Sequence, residues 1–159
     1  MKKKVFFLVM VVCITFQFAG CSLLDPPTVS DIETILHDNY DDYTIINDFL
    51  VSSESRDIRI EDYSGKMQIN GEEVSIENQA VIEALQRVMT TNGLNRVQKS
   101  GHTIDYQIWT RLSDASCGLA FSNAEGFEPT ILYVTELVPL QYDGWYYYAE
   151  DYNEWRVNN

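Results

Sequence analysis

Basic residues are scarce in this 159-residue sequence, which has 11 Lys and Arg against 24 Asp and Glu. Three of the 11 lie together at the start, as Lys2, Lys3 and Lys4, and the other eight are scattered singly from Arg56 to Arg156. A surface that follows a nucleic-acid backbone needs clustered Lys and Arg. The scarcity and scatter of basic side chains therefore exclude nucleic acid as the expected partner.

Cysteine and histidine are also rare, with three Cys and two His in the whole chain. Cys13 and Cys21 precede the folded part, which leaves Cys117 without a partner for an intramolecular disulfide. Two histidines argue against a zinc site. The acidic residues that follow His37, at 38–42, lack the spaced oxygen ligands and the glycine of a calcium loop. We therefore predict no metal and no cofactor, and interpret the acidic run as a solvated helix end.

The sequence lacks a hydrophobic run of membrane-spanning length. The apolar stretch that follows Lys4, residues 5–18, has only 14 residues, whereas a transmembrane helix needs about 20. A positively charged start followed by a short apolar run is typical of an export signal. We interpret this region as a signal peptide.

The apolar stretch ends in Phe18-Ala19-Gly20-Cys21. This segment resembles the lipobox of bacterial lipoproteins, although that pattern usually has Leu where Phe18 stands. The resemblance implies that residues 1–20 are removed, that diacylglycerol is attached to the Cys21 thiol, and that the mature chain begins at Cys21. Two acyl chains give stable anchoring where one chain binds only marginally. The alternative is an ordinary secreted protein that is cut nearby.

Residues 21–29 form the predicted tether. Pro26 and Pro27 should keep it extended at about 3.1 Å per residue, which holds the folded part within about 25 Å of the bilayer. Beyond Cys21 the chain has 24 acidic and eight basic residues, so its net charge is −16 and repels anionic lipid head groups. We expect the domain at the extracytoplasmic face of the bacterial cell membrane, or of the outer membrane if the cell has one.

Residues 30–159 suffice for one domain and are too few to argue for two. Ser30 and Glu33 match a capping box at the start of a helix. Residues 37–42 are poor helix formers, so we expect a break that divides this region into a helix pair.

A central helix is predicted over residues 77–91, where apolar residues recur at helical spacing and Asn92-Gly93 follows as a C-terminal cap. The remaining segments alternate apolar and polar residues between short turns, which is typical of strands. We predict an α+β fold in which the helices pack on one face of an antiparallel meander sheet of about five to seven strands.

The alternation also predicts which side chains face away from the helices. We expect Trp109, Tyr146 and Tyr148 to lie together on that face, above the small residues Gly118 and Ala120. An exposed aromatic patch would result, and these three residues are our candidate binding site.

The C-terminal stretch 142–155 contains seven aromatic residues among 14. Its Gly-Trp-Tyr-Tyr-Tyr segment, residues 144–148, is similar to the core of cell-wall-binding repeats. Those repeats need about three or more copies, and this chain has one. The alternative interpretation is a terminal strand whose alternate aromatics pack in the core.

An alternative hypothesis is an enzyme in which Cys117 is the nucleophile, His102 the base, and Asp105 or Asp114 the orienting group. A catalytic thiol needs an electropositive, partly exposed site. Cys117 instead occupies an apolar position of a strand among acidic residues, so we predict a buried side chain and no enzyme activity.

These inferences favour a lipid-anchored, extracytoplasmic module that works by binding. We expect an envelope or secreted protein as the partner, with an inhibitor or immunity-type role as one version. The alternatives are an envelope hydrolase that uses Cys117 and a single-domain binder of cell-wall glycan that uses the C-terminal aromatics.

Overall fold

The computed structural model describes residues 25–111 and 114–158. Along the chain it has two helices, three short strands, a third helix, five strands and a fourth helix. In chain order the elements are α1 (Val29–Asp38), α2 (Tyr40–Ser52), β1 (Asp57–Ile60), β2 (Lys66–Ile69), β3 (Glu72–Ser75), α3 (Gln79–Asn92), β4 (Arg96–Ser100), β5 (Thr103–Arg111), β6 (Ala115–Ser122), β7 (Val134–Pro139), β8 (Trp145–Asp151) and α4 (Tyr152–Asn158). The predicted signal peptide and Cys21 lie outside the described residues. Among the described residues, no helix is both long and apolar enough to cross a membrane.

The first helix begins at a capping box, but two residues earlier than predicted. Thr28 is the N-cap: its side chain accepts from the Asp31 backbone N–H, and the Asp31 carboxylate accepts from the Thr28 N–H at 2.8 Å. The predicted box at Ser30 and Glu33 is therefore wrong. The expected break lies at Asn39, whose side-chain amide donates to the Ile35 carbonyl at 2.9 Å and so pairs an orphan group at the end of α1.

The central helix α3 confirms the prediction for residues 77–91 to within two residues at each end. Asn78 caps its start by accepting the Ala80 N–H at 3.0 Å. Gly93 ends it in the left-handed conformation, with φ of 68°, which Gly adopts without the steric cost that a Cβ imposes.

Helices α1, α2 and α3 cover one face of the sheet, which we call the inner face. Their apolar side chains form one core with those of β1, β4, β5, β6 and β8. Lys99 of β4 connects the sheet to α2, because its Nζ donates to the Leu50 and Ser53 carbonyls at 2.7 and 2.8 Å. A cation at the carboxyl end of α2 complements the helix dipole and satisfies unpaired carbonyls. Its burial lowers the Lys99 pKa.

The eight strands form one sheet with the order β3-β2-β1-β4-β5-β6-β8-β7, and each neighbouring pair is antiparallel. The predicted α+β class is confirmed, with eight strands in place of five to seven. The order departs from a simple meander at two places: β1 rather than β3 is the neighbour of β4, so the chain returns from β3 through α3, and β8 lies between β6 and β7. Because β6 and β7 are both antiparallel to β8, they run parallel to each other. Parallel strands need a crossover connection, so residues 123–133, the crossover segment, return along the length of the sheet.

Strand β5 contains an irregularity that changes which face its residues take. Gln107 pairs with Gly118, but the next register pair is Trp109 with Cys117, so Ile108 is an extra residue. A bulge of this kind shifts the alternation by one position. The two strands also approach closely here: a Cβ on Gly118 would lie 2.0 Å from the Tyr106 carbonyl oxygen. Only glycine fits at this position.

The C-terminal helix α4, which follows the last strand, was not predicted. Strand β8 ends at Asp151, and the Asp151 carboxylate accepts the backbone N–H groups of Asn153 and Glu154 at 2.9 and 3.0 Å. An acidic side chain that pairs these donors starts a helix.

Candidate functional site

The crossover segment lies over the sheet face opposite the helices, which we call the outer face. The Thr130 N–H donates to Thr103 Oγ1 at 2.8 Å, and the Asp151 N–H donates to the Tyr133 carbonyl at 3.2 Å. The first hydrogen bond attaches the segment to the start of β5, and the second attaches it to the end of β8. A space remains between the segment and the sheet, and we call it the outer-face cleft.

The outer-face cleft has two chambers. The small chamber, of about 130 Å³, lies under the crossover segment. The large chamber, of about 380 Å³, lies beside it towards α4. Arg96 and Glu150 border both chambers. The small chamber is also lined by Gln98, Ser100, Thr103, Asp105, Tyr148 and residues 130–132, and the large chamber by Gln107, Thr110, Asp114, Ala115, Ser116, Tyr133 and Tyr152.

Strand alternation places a charged pair on the floor of the cleft. Arg96 of β4 and Asp105 of β5 both point to the outer face, with Arg96 Nη2 3.7 Å from Asp105 Oδ1. Burial raises the Asp105 pKa to about 6, against the smaller lowering effect of Arg96, and the charge of Glu150 adds to the rise. The Asp105 carboxyl can thus change its charge near neutral pH. A group of this kind in a cleft is a functional-site candidate.

Tyr148 lines the small chamber and has a buried, unpaired polar group. Its side chain is 1% exposed, and within residues 25–111 and 114–158 its hydroxyl has no hydrogen-bond partner. Ser116 is close enough to lower the Tyr148 pKa slightly, but the Ser116 hydroxyl donates to Glu150. Burial dominates and raises the Tyr148 pKa well above its ordinary value. A buried unpaired hydroxyl costs about 1–3 kcal/mol, so a ligand group that pairs it would recover this free energy.

Two further unpaired atoms belong to residues that line the cleft. Arg96 Nε is buried without a hydrogen-bond partner in the described part of the chain, and so is Asp114 Oδ1, although Arg111 Nε lies 3.9 Å away. The other Asp114 oxygen accepts from Asn153 at 2.8 Å. The unpaired groups thus include both a donor and an acceptor.

Aromatic side chains form the rim of the large chamber. The Tyr133 ring contacts Tyr152 and Trp155 edge to face, with ring centroids 5.0 and 5.2 Å apart. Tyr133 has a φ of 56°, a conformation that non-glycine residues rarely adopt. The structure therefore holds Tyr133 in a strained conformation at the edge of the cleft.

The three residues of the predicted aromatic patch do not lie together. Tyr146 and Tyr148 take the outer face, opposite Ala120 and Gly118, as predicted. Trp109 lies on the inner face, because the bulge at Ile108 brings it opposite Cys117. The predicted exposure is also wrong for Tyr148, which is covered by the crossover segment, while Tyr146 is half-buried.

Asp105, Gln107 and Glu150 also lie on the outer face, and the sequence analysis did not identify them as a site. The signal was the row of polar residues at alternate positions of β4, β5 and β8. The role of Arg96 and of residues 130–133 depends on the crossover, which joins parts of the chain that local patterns do not connect.

The candidate thiol–imidazole pair is not assembled. Cys117 is 1% exposed in the core, and burial raises its pKa to about 12. Cys117 borders a separate groove on the inner face together with Trp109. His102 lies far from Cys117 along the sheet. It precedes Thr103, which pairs with Ser122, and Ser122 is five residues from Cys117 on β6, or roughly 16 Å at about 3.3 Å per residue. His102 is exposed, and its Nδ1 lies 3.2 Å from Asn123 Oδ1.

The acidic run near His37 also has protein partners. His37 Nδ1 lies 2.6 Å from the Tyr142 hydroxyl. Asp42 accepts from the Arg87 guanidinium through both carboxylate oxygens, the shortest contact being 2.7 Å. Within the part of the chain that the structure describes, no three His, Cys, Asp or Glu residues are grouped as metal ligands.

Comparison of the chain with protein-family models, with curated proteins and with solved structures gives no significant match.

We predict that Cys117 reacts slowly with a thiol reagent in the native protein, because its thiol is buried and its pKa is raised to about 12. The reaction should become fast once the protein is denatured. The measurement is the rate of labelling at neutral pH before and after addition of denaturant. Fast labelling of the native protein would show that the thiol is accessible and would support the hydrolase alternative.

We predict that Asp105 makes folding stability depend on pH. Its pKa is about 6 in the folded protein and about 3.9 in an unfolded chain, so the folded state binds more protons between these values and stability decreases as pH rises through them. The loss is of the order of 3 kcal/mol, since one pKa unit corresponds to about 1.4 kcal/mol.

The measurement for Asp105 is the free energy of unfolding from denaturant titrations at pH 4 and pH 7. Asp105→Asn should remove most of the decrease between the two pH values. Gln98→Ala is the control, because it changes a neighbouring residue of the cleft without changing its charge. An unchanged pH dependence in Asp105→Asn would contradict the prediction.

Proposed function

We propose that this protein is a lipid-anchored binding module of the bacterial envelope, located on the extracytoplasmic side, and that the outer-face cleft is its ligand site. The observation that carries the proposal is the buried, unpaired hydroxyl of Tyr148, a residue that lines the small chamber next to a larger polar chamber. Folded proteins rarely leave a buried polar group unpaired, and a ligand is one reason to do so.

Binding without catalysis is supported by the placement of the candidate catalytic groups. Cys117 and Asp105 point to opposite faces of the sheet, and His102 lies near the far end of the strand. The polar groups of the cleft can hold a ligand by hydrogen bonds from several directions.

A protein partner, of the inhibitor or immunity type, is the second candidate function. Two apolar side chains on the crossover segment are largely exposed, Phe127 at 71% and Leu132 at 73%. Exposed apolar groups next to a polar cleft are typical of interaction surfaces. On this view the crossover segment contacts the partner and the cleft accepts one of its side chains.

The test of the proposed site uses two matched threonines. Thr110 lines the large chamber and Thr90 lies on α3; both are exposed, and the hydroxyl of each donates to a backbone carbonyl. Thr110→Arg should fill the chamber and reduce capture of the bound envelope component by about tenfold, while Thr90→Arg adds the same charge and should leave capture unchanged. The measurement is affinity capture by the full-length protein from envelope extract. Equal capture by the two variants would refute the cleft as the site.

The anchor is tested by Cys21→Ser. Because the thiol is the proposed acylation site, the variant should accumulate as an uncleaved or mislocalised precursor without lipid. Cys13→Ser, which changes a cysteine of the proposed signal peptide, should be processed and anchored normally. The measurement is the mass and membrane fraction of each variant, and a Cys21→Ser protein that is processed and membrane-bound like wild type would contradict the proposal.

A further inference from the structure

We propose that the outer-face cleft binds a neutral saccharide. This inference rests on the proposed binding function of the same cleft and goes beyond it by naming the chemical class of the ligand. Three properties of the cleft favour such a ligand: its unpaired groups, its charges and its aromatic rim.

The unpaired groups require a ligand with both hydrogen-bond donors and acceptors. Arg96 Nε can only donate and Asp114 Oδ1 can only accept, while the Tyr148 hydroxyl can do either. A hydroxyl group also donates and accepts, so a ligand with several hydroxyl groups can pair all three side chains. An ammonium group cannot accept the Arg96 proton, and a carboxylate or phosphate cannot donate to Asp114.

The charges of the cleft favour a neutral ligand over a charged one. Arg96 lies between the two chambers, and an ammonium group next to its Nε would place two hydrogen-bond donors against each other. The charge of Arg96 is balanced by Asp105 at 3.7 Å, so it is not free to bind an anion or the carboxylate of an amino acid. The carboxylates of Glu150 and Asp114, in a chain with a strong acidic excess, add to the repulsion of anions.

The rim of the large chamber offers apolar surface next to these polar groups. Tyr133 and Tyr152 are 40% and 42% exposed, and the Tyr133 ring contacts Tyr152 and Trp155 edge to face at this edge. Aromatic side chains with a polar tip suit the C–H face of a sugar ring. A chamber of about 380 Å³ falls within the range of small-ligand sites, and the adjoining chamber of about 130 Å³ has room for one protruding hydroxyl-bearing group.

The experiment uses disaccharides that share one ring and differ in charge. The probes are neutral N,N′-diacetylchitobiose, its cationic deacetylated form, and an anionic disaccharide that contains glucuronic acid, with dialanine as a zwitterion. Binding to the full-length protein, solubilised with its anchor in a detergent without a sugar head group, is measured by calorimetry. We expect the neutral disaccharide to bind at least about tenfold more tightly than any charged probe, because moving a charged substituent from water into the cleft costs more free energy than moving a hydroxyl or acetamido group that the cleft can pair.

The matched variants are Tyr148→Phe and Tyr146→Phe, which remove one hydroxyl each from neighbouring outer-face positions of β8. Tyr148→Phe should weaken binding of the neutral disaccharide about fivefold, the cost of one hydrogen bond, without lowering the melting temperature, since the lost hydroxyl is unpaired in the free protein. Tyr146→Phe should bind like wild type. Should Tyr148→Phe fail to fold, Tyr152→Ala replaces it, and the loss of the aromatic face should weaken binding by a similar factor.

The outcomes separate this inference from the function it rests on. Tighter binding of a charged probe, or neutral binding that Tyr148→Phe and Tyr152→Ala leave unchanged, would overturn the saccharide assignment. If the neutral disaccharide fails to bind while Thr110→Arg still reduces capture from envelope extract, the cleft is a site for another class of ligand and the saccharide inference is wrong. If neither is seen, the proposed function fails as well.

Discussion

The position of β8 between β6 and β7 is the constraint on which the candidate site depends. Since β6 and β7 run parallel, the chain between them has to return along the sheet, and the helices already occupy the inner face. The connection therefore lies on the outer face, where it covers Tyr148 and encloses the small chamber. A simple meander would have left this face open, with its polar residues in free contact with water.

Covering a polar face is unfavourable unless its buried polar groups have hydrogen-bond or ionic partners, and here only some of them do. Arg96 and Asp105 pair, and Ser116 pairs with Glu150, but a few atoms stay without partners among the described residues. The inner face also has such atoms, the Tyr43 hydroxyl and Asn92 Nδ2. The cleft differs from it because its three unpaired atoms belong to residues that line open chambers, beside a carboxyl with a raised pKa.

Local patterns predicted the parts of the fold that depend on neighbouring residues. The helix α3, its glycine cap, the break at Asn39 and the outward direction of Tyr146 and Tyr148 all follow from short-range spacing. The bulge at Ile108 was not predictable, because the apolar and polar residues of β5 show no sign of it in the sequence. It becomes visible only in the pairing with β6, where the register shifts by one residue. The assignment of Trp109 failed for this reason, and the crossover was missed because it depends on which strands become neighbours.

The order of the last strands also determines when the sheet can be completed. Strand β8 follows β7 in the chain, yet it is the only neighbour of β7 in the described sheet and the outer neighbour of β6. Before residues 145–151 are in place, β6 presents a free edge on which another chain could add a strand, and β7 has nothing to pair with. An emerging chain of this protein can therefore complete its sheet, and enclose the cleft, only when its C-terminal segment is available.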